Sequence, residues 1–117
     1  KKNNIPHMQL QNADGNFVSP DDKTFAAAAA GVDWFSVPGM GVSMVNAKGK
    51  DAWPVSTASF ILMYKDPADK AQSAEVLKFF DWSFKNGKQA ALDLDYVPMP
   101  DAVTAQIRQR VWSQIAK

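Results

Sequence analysis

Residues 51–64 read Asp51-Ala52-Trp53-Pro54-Val55-Ser56-Thr57-Ala58-Ser59-Phe60-Ile61-Leu62-Met63-Tyr64. From Trp53 onward the stretch is rich in Val, Thr, Ser and aromatic side chains, which suit a pleated, half-buried surface. It is predicted as the strongest strand of the chain. Its character changes midway. Ser56-Thr57-Ala58-Ser59 is polar and Phe60-Ile61-Leu62-Met63-Tyr64 is apolar, the pattern of a strand that crosses between two environments. Pro54 has no N–H, so a sheet ladder must lapse at its nitrogen. A strand this long needs hydrogen-bonding neighbours for its backbone.

The flanking sequence offers few such neighbours. On the N-terminal side, residues 5–10 are a short extended candidate that Pro6 confines to an edge or to the strand's beginning. Asn12-Ala13-Asp14-Gly15-Asn16 reads as a turn, because Asp-Gly reaches positive φ at low cost, and Phe17-Val18 completes a hairpin. Ser19-Pro20-Asp21-Asp22 announces a helix. Ser19 is placed to cap, Pro20 suits the first helical position, and the two Asp residues face the positive end of the dipole. That helix should run through the five alanines at 26–30, good helix formers packed close to a neighbour, and end at Gly31. The signal then weakens. Turns are expected at Pro38-Gly39-Met40-Gly41 and Lys48-Gly49-Lys50-Asp51, flanking a short extended piece at 42–45.

On the C-terminal side, Asp66-Pro67 should open a helix whose apolar face carries Val76, Leu77, Phe80 and Phe84 and which Gly87 stops. A shorter helix is predicted over 89–94, broken by Pro98. Pro100-Asp101 begins the last, with Val103, Ile107, Val111 and Ile115 in an i, i+4 stripe. The reading is α/β: one long strand, a hairpin and three or four helices. It is short of strands, so the rest of the sheet is expected elsewhere.

Composition narrows the function. The 117 residues suffice for one compact domain on length alone, and 46% hydrophobic with 21% charged residues is globular rather than disordered. Thirteen basic and twelve acidic residues are interspersed for a net charge of +1. No basic block tracks a phosphate backbone, which argues against nucleic acid as a partner. The absence of cysteine removes disulfides, thiolate metal sites and Cys nucleophiles. The longest apolar run, residues 60–64, falls far short of the ~20 residues that span a bilayer. Lys1-Lys2-Asn3-Asn4 is basic without a following apolar segment. It reads as the frayed end of a helix that began earlier rather than as a signal peptide.

Chemistry-bearing motifs are few. His7 is the only histidine and lacks a second ligand or an oriented base. Asp93 and Asp95 diverge on a helix; on a strand they share a face with no other visible acid to fix them, and they read as solvated acids. Gly39-Met40-Gly41 lacks the third glycine of a dinucleotide loop. Asn46-Ala47-Lys48-Gly49-Lys50 lacks the earlier glycine and the Ser or Thr of a P-loop. No serine lies in a Gly-x-Ser-x-Gly elbow. The helix start at Ser19-Pro20 could take an anion, but Asp21 and Asp22 already occupy its field. Phe79-Phe80-Asp81-Trp82-Ser83-Phe84 reads as core. No catalytic residue, metal ligand or cofactor is expected, and the chain is read as a non-enzyme.

Three segments resemble one family. The Trp53-Pro54-Val55-Ser56 strand, the helix Glu75-Val76-Leu77-Lys78-Phe79-Phe80-Asp81-Trp82 and the link Leu92-Asp93-Leu94-Asp95-Tyr96-Val97-Pro98-Met99-Pro100 resemble, in order and spacing, the C-terminal part of the phosphate-binding receptors of Pst-type ABC transporters. The resemblance implies part of a two-lobe periplasmic-binding-protein fold with crossing strands. Residues 1–52 would end the second lobe, 53–55 would be the lobe-crossing hinge (Trp53, Pro54, Val55), and 56–117 would return to the first lobe. The family's phosphate ligands include a Ser-Gly-Thr-Ser-like helix start from earlier in the receptor. Ser56-Thr57-Ala58-Ser59 has no glycine and lies in the predicted strand, so no phosphate-binding residue is expected in this segment. The implied partners are inorganic phosphate, held by the missing N-terminal part, and the membrane permease of the importer; the implied location is periplasmic. The alternative is a free-standing, non-catalytic module derived from that fold, which self-associates through a sheet edge.

Overall fold

Asp14-Gly15 turns the chain as its sequence requires. Gly15 takes φ +82°, and antiparallel strands β1 (Leu10–Gln11) and β2 (Phe17–Val18) pair Leu10 with Val18 and Gln11 with Phe17. The computed structural model describes residues 5–116; the helix end expected at residues 1–4 lies outside them. The length suggested one domain, but the described residues fall into two compact units that part between Ser59 and Phe60.

In the first unit, helix α1 spans Asp22–Ala30. Asp21, not Ser19, is its cap. The Asp21 carboxylate accepts from the Thr24 N–H at 2.9 Å, and the Thr24 hydroxyl answers the Asp21 N–H at 3.1 Å, a reciprocal capping box. Ser19 contributes its backbone carbonyl, which accepts from the Thr24 hydroxyl at 2.7 Å. Ala28 and Ala29 are buried, as an alanine face pressed on a neighbour should be, together with Val18, Trp34, Met44, Ala47, Ala52 and Trp53. The Trp34 indole N–H donates to the Ala29 carbonyl at 2.8 Å. Gly31 does end the helix, yet not through left-handed backbone, since its φ is −77°. A Cβ there would lie 2.1 Å from the Lys48 carbonyl oxygen, so close approach is what requires glycine. The expected extended piece at 42–45 makes no ladder, and Pro38–Met40 is one 3-10 turn.

The main correction concerns residues 53–64, which form no strand. A strand exists only through its ladder, and the sheet among the described residues is the two-stranded β1–β2 pair. Residues 56–64 run without helix, turn or bend, and 55–64 make no backbone–backbone hydrogen bond among the described residues.

In the second unit, helix α2 spans Lys70–Asn86. It starts later than Asp66-Pro67 suggested, because Asp69 supplies the cap, accepting from the Gln72 N–H at 2.9 Å. Leu77 is buried, Phe80 and Phe84 are half-buried, and Val76 lies at the exposed margin of that face. Gly87 separates α2 from α3 (Lys88–Asp93), and α4 (Asp101–Gln106) follows Pro100. The last helix then widens to a π-turn over Ile107–Val111 and tightens to a 3-10 turn over Trp112–Gln114. The i, i+4 stripe survives these changes of pitch: Val103 and Ile115 are buried, Ile107 and Val111 half-buried.

Candidate functional site

Trp53, Pro54 and Val55 leave the first unit's core as a tied and then an untied segment. The Trp53 N–H donates to the Thr24 carbonyl at 3.0 Å, and the Pro54 carbonyl accepts from the Asn46 N–H at 2.8 Å. The indole packs edge-on to Phe25, with ring centroids 6.1 Å apart. The Ser56 hydroxyl folds back to the Trp53 carbonyl at 3.2 Å. Trp53 and Pro54 are buried, the backbone bends at 54–55, and Val55 is exposed. From there to Tyr64 the chain makes no backbone–backbone hydrogen bond among the described residues, and the next is the Lys65 carbonyl accepting from the Ala116 N–H at 2.8 Å.

A buried asparagine holds the loop that leads into this segment, and sequence reasoning took it only for a turn former. The Asn12 amide donates to the carbonyls of Gly49, Lys50 and Ala52 at 3.1, 2.8 and 3.2 Å. Its oxygen accepts from the N–H groups of Asp14 and Asn16 at 3.1 and 3.0 Å. One side chain thus shapes the hairpin turn and ties it to 49–52. A local sequence pattern cannot reveal the second half of that role, which spans about 40 residues of chain.

The second unit contains an ionic and aromatic cluster. Arg108, on the π-turn, donates to Asp81 of α2 at 2.6 Å and lies over the rings of Phe84 and Trp112, which stack at 5.7 Å. Lys85 pairs with the other Asp81 oxygen. Hydrogen bonds from Lys85 first, and then from Arg108, hold the Asp81 carboxyl below its ordinary value of 3.8. A carboxyl lowered on folding stabilises the fold above its unfolded value, and that contribution is lost as pH falls through the lower folded value. Asp81→Asn is therefore expected to lower the melting temperature at neutral pH, with the gap to wild type closing as pH drops below 3.8. A gap that stays constant in melts from pH 7 to pH 2 would contradict the pairing.

The remaining sequence candidates stay apart. His7 is exposed on the lead-in to β1. Asp93 accepts from the Gln89 side chain at 2.8 Å, whereas Asp95 sits in a left-handed turn at φ +61°. Among the described residues no group of three His, Cys, Asp or Glu could hold a metal ion. A half-open groove of about 380 Å³ between α2, α3 and α4 is walled by Trp82, Phe84, Pro98 and Met99. Lys88 on its rim is engaged with Asp101 at 2.6 Å. The hydroxyls in its lining are engaged within the unit, Ser83 donating to the Phe79 carbonyl at 2.9 Å and Thr104 to the Asp101 carbonyl at 3.0 Å. No described helix is long and apolar enough to cross a membrane.

No protein-family model matches the chain. It is 45% identical over 117 residues, its whole length, to the phosphate-binding protein PstS of Pasteurella multocida, of which it covers 34%. It is 42% identical over 110 residues, 94% of the chain, to the PstS of Haemophilus influenzae, covering 33% of that protein. A more distant relative is the PstS of Methanocaldococcus jannaschii, 30% identical over 111 residues, 85% of the chain and 28% of the relative. The chain thus spans about a third of the length of these curated relatives, the C-terminal third. Its α/β architecture is homologous to the periplasmic-binding fold of solute receptors. Within that class the chain belongs, as a homologue of their C-terminal third, with the phosphate-binding proteins PstS.

Proposed function

We propose that this chain acts as the C-terminal part of an extracytoplasmic, periplasmic receptor that binds inorganic phosphate and delivers it to the permease of an ABC importer. The observation that carries this reading is the 45% identity over every residue of the chain to one third of a PstS protein. In this role the segment is scaffold and hinge, without catalysis and without phosphate ligands. The backbone of 55–64, which makes no backbone–backbone hydrogen bond among the described residues, supports it, because such a segment suits a strand of a sheet completed by other parts of a receptor. Residues 1–52 would finish one lobe, Trp53, Pro54 and Val55 would carry the chain across, and 56–117 would complete the other. Burial of Trp53 beside Phe25, followed by a bend at 54–55, supports such a crossing.

Two measurements test it. The isolated chain is expected to show no saturable phosphate binding in calorimetry; a one-to-one isotherm of micromolar or tighter affinity would overturn the assignment of the ligands to the rest of the receptor. In the intact receptor, Pro54→Gly should speed amide exchange around residues 53–58. It should also weaken phosphate affinity by about 1 kcal/mol through backbone entropy. Unchanged exchange and affinity would remove the hinge from 53–55.

A further inference from the structure

Of the asparagines in the chain, Asn86 alone precedes a glycine. In such a pair the glycine nitrogen can reach the asparagine Cγ, because glycine puts no Cβ in the way. Asn86 is exposed on the last turn of α2, and Gly87 is half-buried behind it. The fold itself demands this glycine. Its φ of −85° is open to any residue, but a Cβ would lie 2.7 Å from the Ser83 carbonyl oxygen, closer than real side chains approach. We propose that Asn86-Gly87 is a gated deamidation site: closed while the last turn of α2 is formed, reactive when that turn opens, and, once converted, a covalent bar to its closing.

Two contacts make the gate. The Gly87 N–H, whose nitrogen must attack, donates to the Ser83 carbonyl at 2.8 Å. The Asn86 side-chain amide, whose nitrogen must leave, donates to the Trp82 carbonyl at 3.0 Å. Both carbonyls belong to the same turn, so one fraying event frees nucleophile and electrophile together. The chemistry needs only water. Hydroxide takes the proton from the Gly87 nitrogen, and that nitrogen forms a bond to the Asn86 Cγ. The Cγ–Nδ2 bond breaks, and ammonia leaves with a proton from water. The succinimide ring then takes up one water at either carbonyl and opens to aspartate or isoaspartate; nothing is oxidised or reduced. Either product works against the helix end. The new carboxylate cannot donate to the Trp82 carbonyl, and it adds negative charge at the negative pole of the α2 dipole. Isoaspartate also lengthens the main chain by one methylene at the junction with α3. Trp82, Gly87 and Lys88 line the groove between α2, α3 and α4, so conversion should loosen that wall.

The test incubates the 117-residue chain at mildly alkaline pH, folded and in urea, and follows peptides spanning Asn86 by mass spectrometry. In urea Asn86 should convert faster than every other asparagine, and Gly87→Ala should suppress that conversion. In the folded chain conversion should be tenfold or more slower, the protection given by a turn that is open only a small fraction of the time. Asn86→Asp, which carries the product's charge from the start, should speed amide exchange at 83–88. Equal rates folded and in urea, another asparagine converting faster in urea, undiminished conversion of Gly87→Ala in urea, or unchanged exchange in Asn86→Asp would each overturn the proposal. None of these readouts involves phosphate, so the receptor reading can fail while this one holds.

Discussion

Trp53→Ala should cost about 3–5 kcal/mol, the usual range for emptying a buried indole site. The side chain is only 9% exposed and its ring meets Phe25 edge-on, while its neighbour Ala52 is fully buried and offers nothing that could slide into the void. The backbone bond from Trp53 to Thr24 does not depend on the side chain, so the loss is one of packing. Domains carry roughly 0.05–0.15 kcal/mol of stability per residue, and a unit ending at Ser59 has little more than this to lose. Urea titration followed by amide exchange should show protection collapsing from Asn12 to Pro54. A cost below about 1 kcal/mol would mean that Trp53 is not the pillar of this unit.

Asn12→Ala should cost about 2–4 kcal/mol, through polar groups rather than volume. The Lys50 and Ala52 carbonyls and two N–H groups lose their partner at once, while the Gly49 carbonyl keeps the Ala52 N–H at 2.9 Å. Those of exposed turn residues can return to water; the Ala52 carbonyl, on a fully buried residue, has the least access to it. Asn12→Asp discriminates this account from a mere preference for a turn former. Aspartate keeps the acceptor that the turn uses but points a carboxylate at three carbonyl oxygens. It should be at least as damaging as alanine at neutral pH and should recover partly in acid. If Asp were tolerated as well as Asn, the bonds to 49–52 would carry no weight.

Where structure is local, the sequence was readable. Asp14-Gly15 produced the hairpin, Gly87 parted two helices, and Pro100-Asp101 began the last one. Helix starts slipped by a few residues, from Ser19 to Asp21 and from Asp66 to Asp69, because several adjacent side chains could cap and only geometry chooses among them. Strand character at 53–64 was legible in side chains, but a strand also needs a partner, and the described residues provide none. Gly31 illustrates a different limit. Its position past the alanines was clear, but the reason, a carbonyl from Lys48, comes from a distant loop. The same holds for Asn12 and for the reach of Arg108 to Asp81. Of the candidate site, Trp53 and Pro54 were visible as residue types with known constraints. Their burial, and the want of a backbone partner for 55–64 among the described residues, are tertiary facts.

The central claim, that this chain completes a phosphate receptor whose ligands lie elsewhere, is tested most directly by assembly. The chain would be co-expressed with the N-terminal two thirds of the Pasteurella multocida PstS, and the purified product titrated with phosphate in a calorimeter beside each part alone. The account predicts a one-to-one complex of the two parts that binds one phosphate with micromolar or tighter affinity, and a flat trace for the chain by itself. Saturable phosphate binding by the isolated chain, or a stable complex that takes up no phosphate, would contradict it.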